Sequence, residues 1–190
     1  MGAAPARCVC LVGPRGAGKS AVGGEVARRL GWRFEDLDRC VERAAGASVA
    51  QLFAREGEEG FRLREAALLA ELLEGADRLV LATGGGAVLR PENRQRLREV
   101  WTVYLRAAPE VLAERVARDP RSRASRPPLA TGGPLEEARR VTAERDAYYR
   151  DVAAAVVEAG APLATVVETT LDVVRRATGE VERGPPAASA

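Results

Sequence analysis

The stretch CVCLVGPRGAGKS, residues 8–20, constrains the fold of this chain more than any other. An uncharged apolar run ends at Gly13, which reads as a buried strand feeding a glycine-rich turn. Val22, Val26 and Leu30 then recur at helical spacing up to Gly31, predicting a helix from Gly18. Between strand and helix, Gly13, Gly18, Lys19 and Ser20 satisfy the pattern G-x-x-x-x-G-K-S/T. Glycines there let backbone N–H groups converge on phosphate oxygens, and the helix N-terminus adds the positive end of its dipole. The residues expected to hold a nucleoside triphosphate are therefore Gly13, Gly16, Ala17, Gly18, Lys19, Ser20 and Ala21. Lys19 is expected at the β and γ phosphates and the Ser20 hydroxyl at Mg²⁺. Lys19 is the only lysine among 29 Lys and Arg residues. A slender ammonium enters a narrow amide cradle that a planar guanidinium would not, so this position reads as one that needs the shape of lysine.

Beyond that loop, strands and helices alternate. Further strands are predicted at WRFEDLD, RLVLATGGG, WTVYLRA and AAAVVEA. Helices are predicted from Val41 to Leu73 with a turn at REGEEG, at RPENRQRLREV, at PEVLAERVAR, at LEEARRVTAERDAYYRDV, and from Pro162 to Thr178. Five strands separated by helices imply a parallel sheet covered on both faces, with ligands at the carboxyl ends of its strands. The expected fold is α/β, a three-layer αβα P-loop arrangement around a five-stranded parallel sheet. It carries a helical substrate-binding excursion at about 39–75 and a mobile lid at about 116–134. Residues 1–178 form one domain in this reading, followed by a disordered tail at 179–190.

Composition narrows the chemistry. With no histidine, imidazole catalysis is excluded, so a proton acceptor must be a carboxylate, another side chain, water or the substrate. A net charge of +2 does not suggest a dedicated nucleic-acid or membrane-surface binder. The apolar runs are too short to span a bilayer and the N-terminus lacks the regions of a secretory signal, so a cytoplasmic protein is expected. Cys8, Cys10 and Cys40 read as buried free thiols rather than a disulfide or a metal site.

The P-loop does not say what receives the phosphate. EDLD ends the second strand, and period-two alternation would put Asp36 and Asp38 on one face; alternatively, Asp38 caps a helix starting at Arg39. RLVLATGGG ends in Gly84, Gly85 and Gly86 where a generic Walker B strand would end in an acidic residue. Taken in order, GPRGAGKS, EDLD, VAQLFAREGEEGFRLRE, TGGGAVL, RPPL and ERDAYYRDVA resemble the shikimate kinase family over nearly the whole chain to about Thr178. The resemblance implies ATP-dependent phosphorylation of the 3-hydroxyl of shikimate by a monomeric enzyme.

In that resemblance Asp38 matches the residue that binds the substrate hydroxyls and is the candidate base, and Asp36 matches one linked to Mg²⁺ through water. Arg62 and Arg145 match the two arginines that hold the shikimate carboxylate, and Glu65 an acidic residue that orients the first. Gly84, Gly85 and Gly86 match backbone donors to substrate hydroxyls. Arg126 of the lid matches a residue that closes over the ATP phosphates, and Arg115 an adenine-stacking arginine. Two departures are visible: RPPL replaces the usual R-P-L-L of the lid, and Ala159, Gly160 and Ala161 offer only backbone where some relatives carry basic residues beside the base. The alternatives are another P-loop small-molecule kinase, such as a gluconate kinase, and a nucleotide-binding regulatory homologue without catalysis.

Overall fold

A computed structural model of the chain describes residues 7–119 and 133–179. The elements follow in chain order as β1 (Cys8–Val12), α1 (Lys19–Leu30), β2 (Arg33–Asp36), α2 (Leu37–Ala45), α3 (Val49–Leu73) and β3 (Leu79–Ala82). After a 3-10 turn at Ala87–Leu89 come α4 (Pro91–Glu99), β4 (Trp101–Arg106), α5 (Pro109–Arg118), α6 (Pro134–Val152), β5 (Ala155–Glu158) and α7 (Leu163–Thr178). All five strands run parallel in the order β2-β3-β1-β4-β5.

β1 lies at the centre because it can be buried on both faces. Alternation along it sends Val9 and Leu11 to one side, where they join Val80, Val103 and Leu105 under Val22, Val26 and Leu30 of α1 and Val166, Leu171 and Val174 of α7. Cys8, Cys10 and Val12 face the other side, with Leu79, Leu81 and Tyr104, under Leu69, Leu97, Tyr149 and Val152. The expected five-stranded, two-faced parallel sheet is the one observed. The three cysteines are buried free thiols, and burial together with the Glu35 carboxylate pushes the Cys40 thiol up to about 11.

Two local expectations need correction. The second strand stops at Asp36, and Asp38 stands in the first turn of α2, not on the strand, so strand alternation does not align the two carboxylates. Asp36, not Asp38, caps the helix, accepting the N–H of Arg39 at 3.3 Å. The predicted 41–73 helical stretch breaks at residues 46–48, where Gly46 ends α2 in a left-handed conformation and Ser48 opens α3 with a reciprocal capping box to Gln51. The expected turn at 55–60 is only a kink at Gly57. α2 and α3 share a small core of Val41, Val49, Leu52 and Phe61. Of the expected lid, residues 120–132 lie outside the described residues, as do residues 180–190 of the expected tail. Among the described residues no helix is long and apolar enough to cross a membrane.

Candidate active site

At the carboxyl ends of the strands a cavity of about 360 Å³ is lined by Gly16, Gly18, Lys19, Ser20 and Ala21 of the β1–α1 loop, by Asp36 and Asp38, and by Thr83 and Gly85 after β3. Arg15, Arg115 and Asp119 complete its wall. Lys19 and Asp38, far apart in sequence, thus face one space.

The loop owes its course to sterics. Gly13 (φ 142°) and Gly16 (φ 83°) lie so close to neighbouring backbone that a Cβ would approach Leu105 O to 2.6 Å and Leu112 O to 2.7 Å. The glycines therefore seat the loop against the end of β4 and against α5 whether or not a ligand is considered. Lys19 opens α1, and its Nζ turns back into the loop to donate to Gly13 O at 2.8 Å and Pro14 O at 2.9 Å. Ala17 is buried beneath the loop and also lines a second cavity of about 280 Å³ with Ala21, Val22, Arg115, Ala159 and Val166. Arg115 spans that cavity's rim, with Nη2 donating to Ala161 O at 3.2 Å and Nη1 3.5 Å from Gly16 O. The side-chain-poor 159–161 segment thus does engage Arg115, through a carbonyl.

The Ser20 hydroxyl donates to Asp36 Oδ2 at 2.5 Å. Two hard oxygen donors so placed suit Mg²⁺, which keeps most of its waters and takes one or two protein oxygens alongside phosphates. Among the described residues no cluster of three or more His, Cys, Asp or Glu side chains forms a dedicated metal cage.

Beside Asp38 the cavity is bounded by the triple-glycine turn. A Cβ on Gly84 would lie 2.4 Å from Glu65 Oε1 and 2.8 Å from Asp38 Oδ1; one on Gly86 would strike the Arg62 guanidinium at 2.1 Å. Gly84 therefore admits the two carboxylates, and Gly86 admits the cation. Arg62 and Glu65 pair at 2.7 Å on one face of α3, with side chains 5% and 0% exposed, and Glu58 adds a second partner at 3.2 Å. Burial presses the Arg62 guanidinium toward neutrality, but Glu65 and Glu58 outweigh it and hold it above its ordinary value. From the opposite side the buried Arg145 donates from Nη1 to Gly85 O at 3.2 Å, while its buried Nε has no acceptor among the described residues.

Arg62 and Arg145 do not line the 360 Å³ cavity itself; they meet at the turn that carries Gly85 of its wall. Arg126 lies outside the described residues. Sequence reasoning passed over Thr83, whose N–H and hydroxyl both reach Leu11 O at 3.1 Å and tie the end of β3 to β1. Tyr149 was also passed over, although its spacing of four from Arg145 puts both on one helix face.

A family model described as shikimate kinase matches residues 15–175. The shikimate kinase of Pseudomonas savastanoi pv. phaseolicola is 48% identical over 153 residues, 80% of this chain and 86% of that relative. Shikimate kinase 2 of Yersinia enterocolitica is 45% identical over 168 residues, 87% of this chain and 94% of the relative. Among solved structures, the shikimate kinase of Acinetobacter baumannii in complex with shikimate superposes with a TM-score of 0.83 at 37% identity, covering 90% of this chain and 94% of that one. A gluconokinase of Sinorhizobium meliloti, with a TM-score of 0.56 at 19% identity, shares the fold alone.

Proposed function

The chain belongs to the shikimate kinase family, and from that premise we propose how its cavity transfers the γ-phosphoryl group of ATP to the 3-hydroxyl of shikimate. The products are shikimate 3-phosphate and ADP, and the reaction is a step in aromatic amino acid biosynthesis. One observation carries the reading: a buried arginine from α3, a buried arginine from α6 and the Asp38 carboxylate converge on a glycine turn that packs directly against the phosphate loop.

Shikimate is a small carboxylate with neighbouring hydroxyls. Arg62 and Arg145 are suited to take its carboxylate in charge-assisted hydrogen bonds, and the unused donor of the buried Arg145 Nε favours this. Glu65 fixes the Arg62 fork so that it need not be ordered on binding. Glycines 84–86 bring backbone close to the hydroxyls without side-chain interference. Asp38 accepts the proton of the 3-hydroxyl as its oxygen bonds to phosphorus, and the bond from phosphorus to the ADP oxygen breaks. Lys19 and the amides at the start of α1 hold the β and γ phosphates. Ser20 and Asp36 would hold Mg²⁺, which supplies charge neutralisation on the phosphate oxygens. The adenine of ATP is proposed to sit in the apolar second cavity against Arg115. Phosphoryl transfer asks mainly for placement, and holding both reactants in one cavity is worth roughly 7–11 kcal/mol of barrier. Since all these groups come from one chain, a monomer suffices in this reading.

ADP release measured with shikimate, gluconate and nucleoside monophosphates as acceptors tests the proposal. Turnover is expected with shikimate at a rate far above the other two. Preference for gluconate would overturn the acceptor, and no turnover with any of them would favour a regulatory nucleotide-binding role.

A further inference from the structure

The Gly85 carbonyl accepts two hydrogen bonds from α6: Arg145 Nη1 donates at 3.2 Å and the Tyr149 hydroxyl at 2.5 Å. Tyr149 is fully buried, and its ring stacks on Tyr104 at a centroid distance of 5.0 Å. Tyr104 is itself fixed, donating its hydroxyl to Asp146 Oδ1 at 2.9 Å. The phenol is thus delivered to Gly85 by a rigid stack, and a buried phenol that lost this acceptor would be costly.

Gly85 is where donor and acceptor halves of the site touch. A Cβ there would lie 3.3 Å from Arg15 N and 3.5 Å from Gly13 O of the phosphate loop, while its neighbours Gly84 and Gly86 abut Asp38, Glu65 and Arg62. Movement of this one peptide shifts the acceptor groups relative to the phosphates, and misplacement by about 1 Å can cost on the order of 10²-fold in rate.

Resting on the reading above, in which Arg145 serves the substrate carboxylate, we infer that Tyr149 is a positioning residue for the transfer step. Its hydroxyl retains the Gly85 carbonyl when the Arg145 guanidinium is shared with substrate, keeping Asp38 and Arg62 aligned with the phosphate loop. Arg145 faces two demands, the carbonyl and the substrate carboxylate.

The test uses the full chain and steady-state rates with ATP and shikimate. Tyr149→Phe keeps the ring and its stack; kcat is expected to fall about tenfold, the loss of roughly one hydrogen bond's worth of alignment. The KM for ATP should stay within about twofold, because the loop's own contacts are intact. Tyr104→Phe, which loses the bond to Asp146 but keeps the stack, should leave kcat within about twofold. A second measurement combines Tyr149→Phe with Arg145→Lys: because both residues hold one carbonyl, the double variant should lose more kcat than the product of the single losses. A Tyr149→Phe enzyme with unchanged kcat overturns the inference, as do strictly multiplicative losses or an equal fall in Tyr104→Phe, which would signify a general loosening of α6. A parent chain inactive on shikimate would refute the proposed function as well. An active parent with an indifferent Tyr149→Phe would refute this inference alone.

Discussion

Asp38 and Arg62 both press on the triple-glycine turn, yet their replacement should be read out differently. Asp38→Asn keeps the shape but removes the proposed proton acceptor, so kcat is expected to fall on the order of 10²-fold or more while the KM for ATP barely moves. Pre-steady-state product formation checks this, and a near-normal rate would remove Asp38 from the base role. Arg62→Ala removes a cation whose partner Glu65 is wholly buried. The KM for shikimate should rise at least about tenfold, and stability should drop by about 3–5 kcal/mol, the usual result of breaking a buried ion pair from one side. Saturation kinetics and denaturant titration report the two losses separately. At this scale a lone lysine in an arginine-rich chain singled out Lys19 in the sequence, and the structure folds its Nζ back onto the Gly13 and Pro14 carbonyls of the glycine loop. Tyr149 was not, because a buried tyrosine on a helix reads as core until the carbonyl it bonds is known.

Elements carry these residues into place, and α3 does so with a defect. Gly57 sits at φ 72° and ψ −178°, a conformation essentially confined to glycine, between the half of the helix capped by Ser48 and the half that presents Phe61, Arg62 and Glu65. A Cβ at Gly57 meets no neighbour, so Gly57→Ala isolates backbone strain of about 1–3 kcal/mol. The thermal midpoint should fall by several degrees, about 2–4 °C per kcal/mol for a chain of this size. The KM for shikimate should rise at the same time as the second half of α3 re-aims; a lowered midpoint with unchanged kinetics would mean that the two halves move independently. The glycine pair in REGEEG announced a disturbance of the helix here, but not its size. A single glycine can absorb the irregularity while N–H to carbonyl bonding resumes on either side, whereas the complete break fell at Gly46 and Ser48, where left-handed and capping geometry coincide. Likewise EDLD pointed to two carboxylates near one place, and the end of β2 after Asp36 delivers them by a strand-to-helix turn, not by alternation.

In the whole molecule, the site draws on the β1–α1 loop, the start of α2, the middle of α3, the turn after β3 and α6, so binding braces both faces of the sheet. Shikimate or ATP at 100 times its dissociation constant should stabilise the folded chain by about 2.7 kcal/mol and raise the thermal midpoint by several degrees, with gluconate raising it little. Differential scanning calorimetry decides this. The parallel sheet and its phosphate loop were determined by the sequence itself: an uncharged strand, a glycine turn and a periodic helix are local patterns with one economical packing. The ordered motifs likewise carried the family. Only the tertiary structure decided that three consecutive glycines are small for three different reasons, admitting two carboxylates, the phosphate loop and a guanidinium in turn. It also decided that α6 holds the middle one by two side chains. Those demands arise between segments distant in the chain, at contacts of a few ångströms, where nothing in the spacing of residues along the backbone records which atoms will meet.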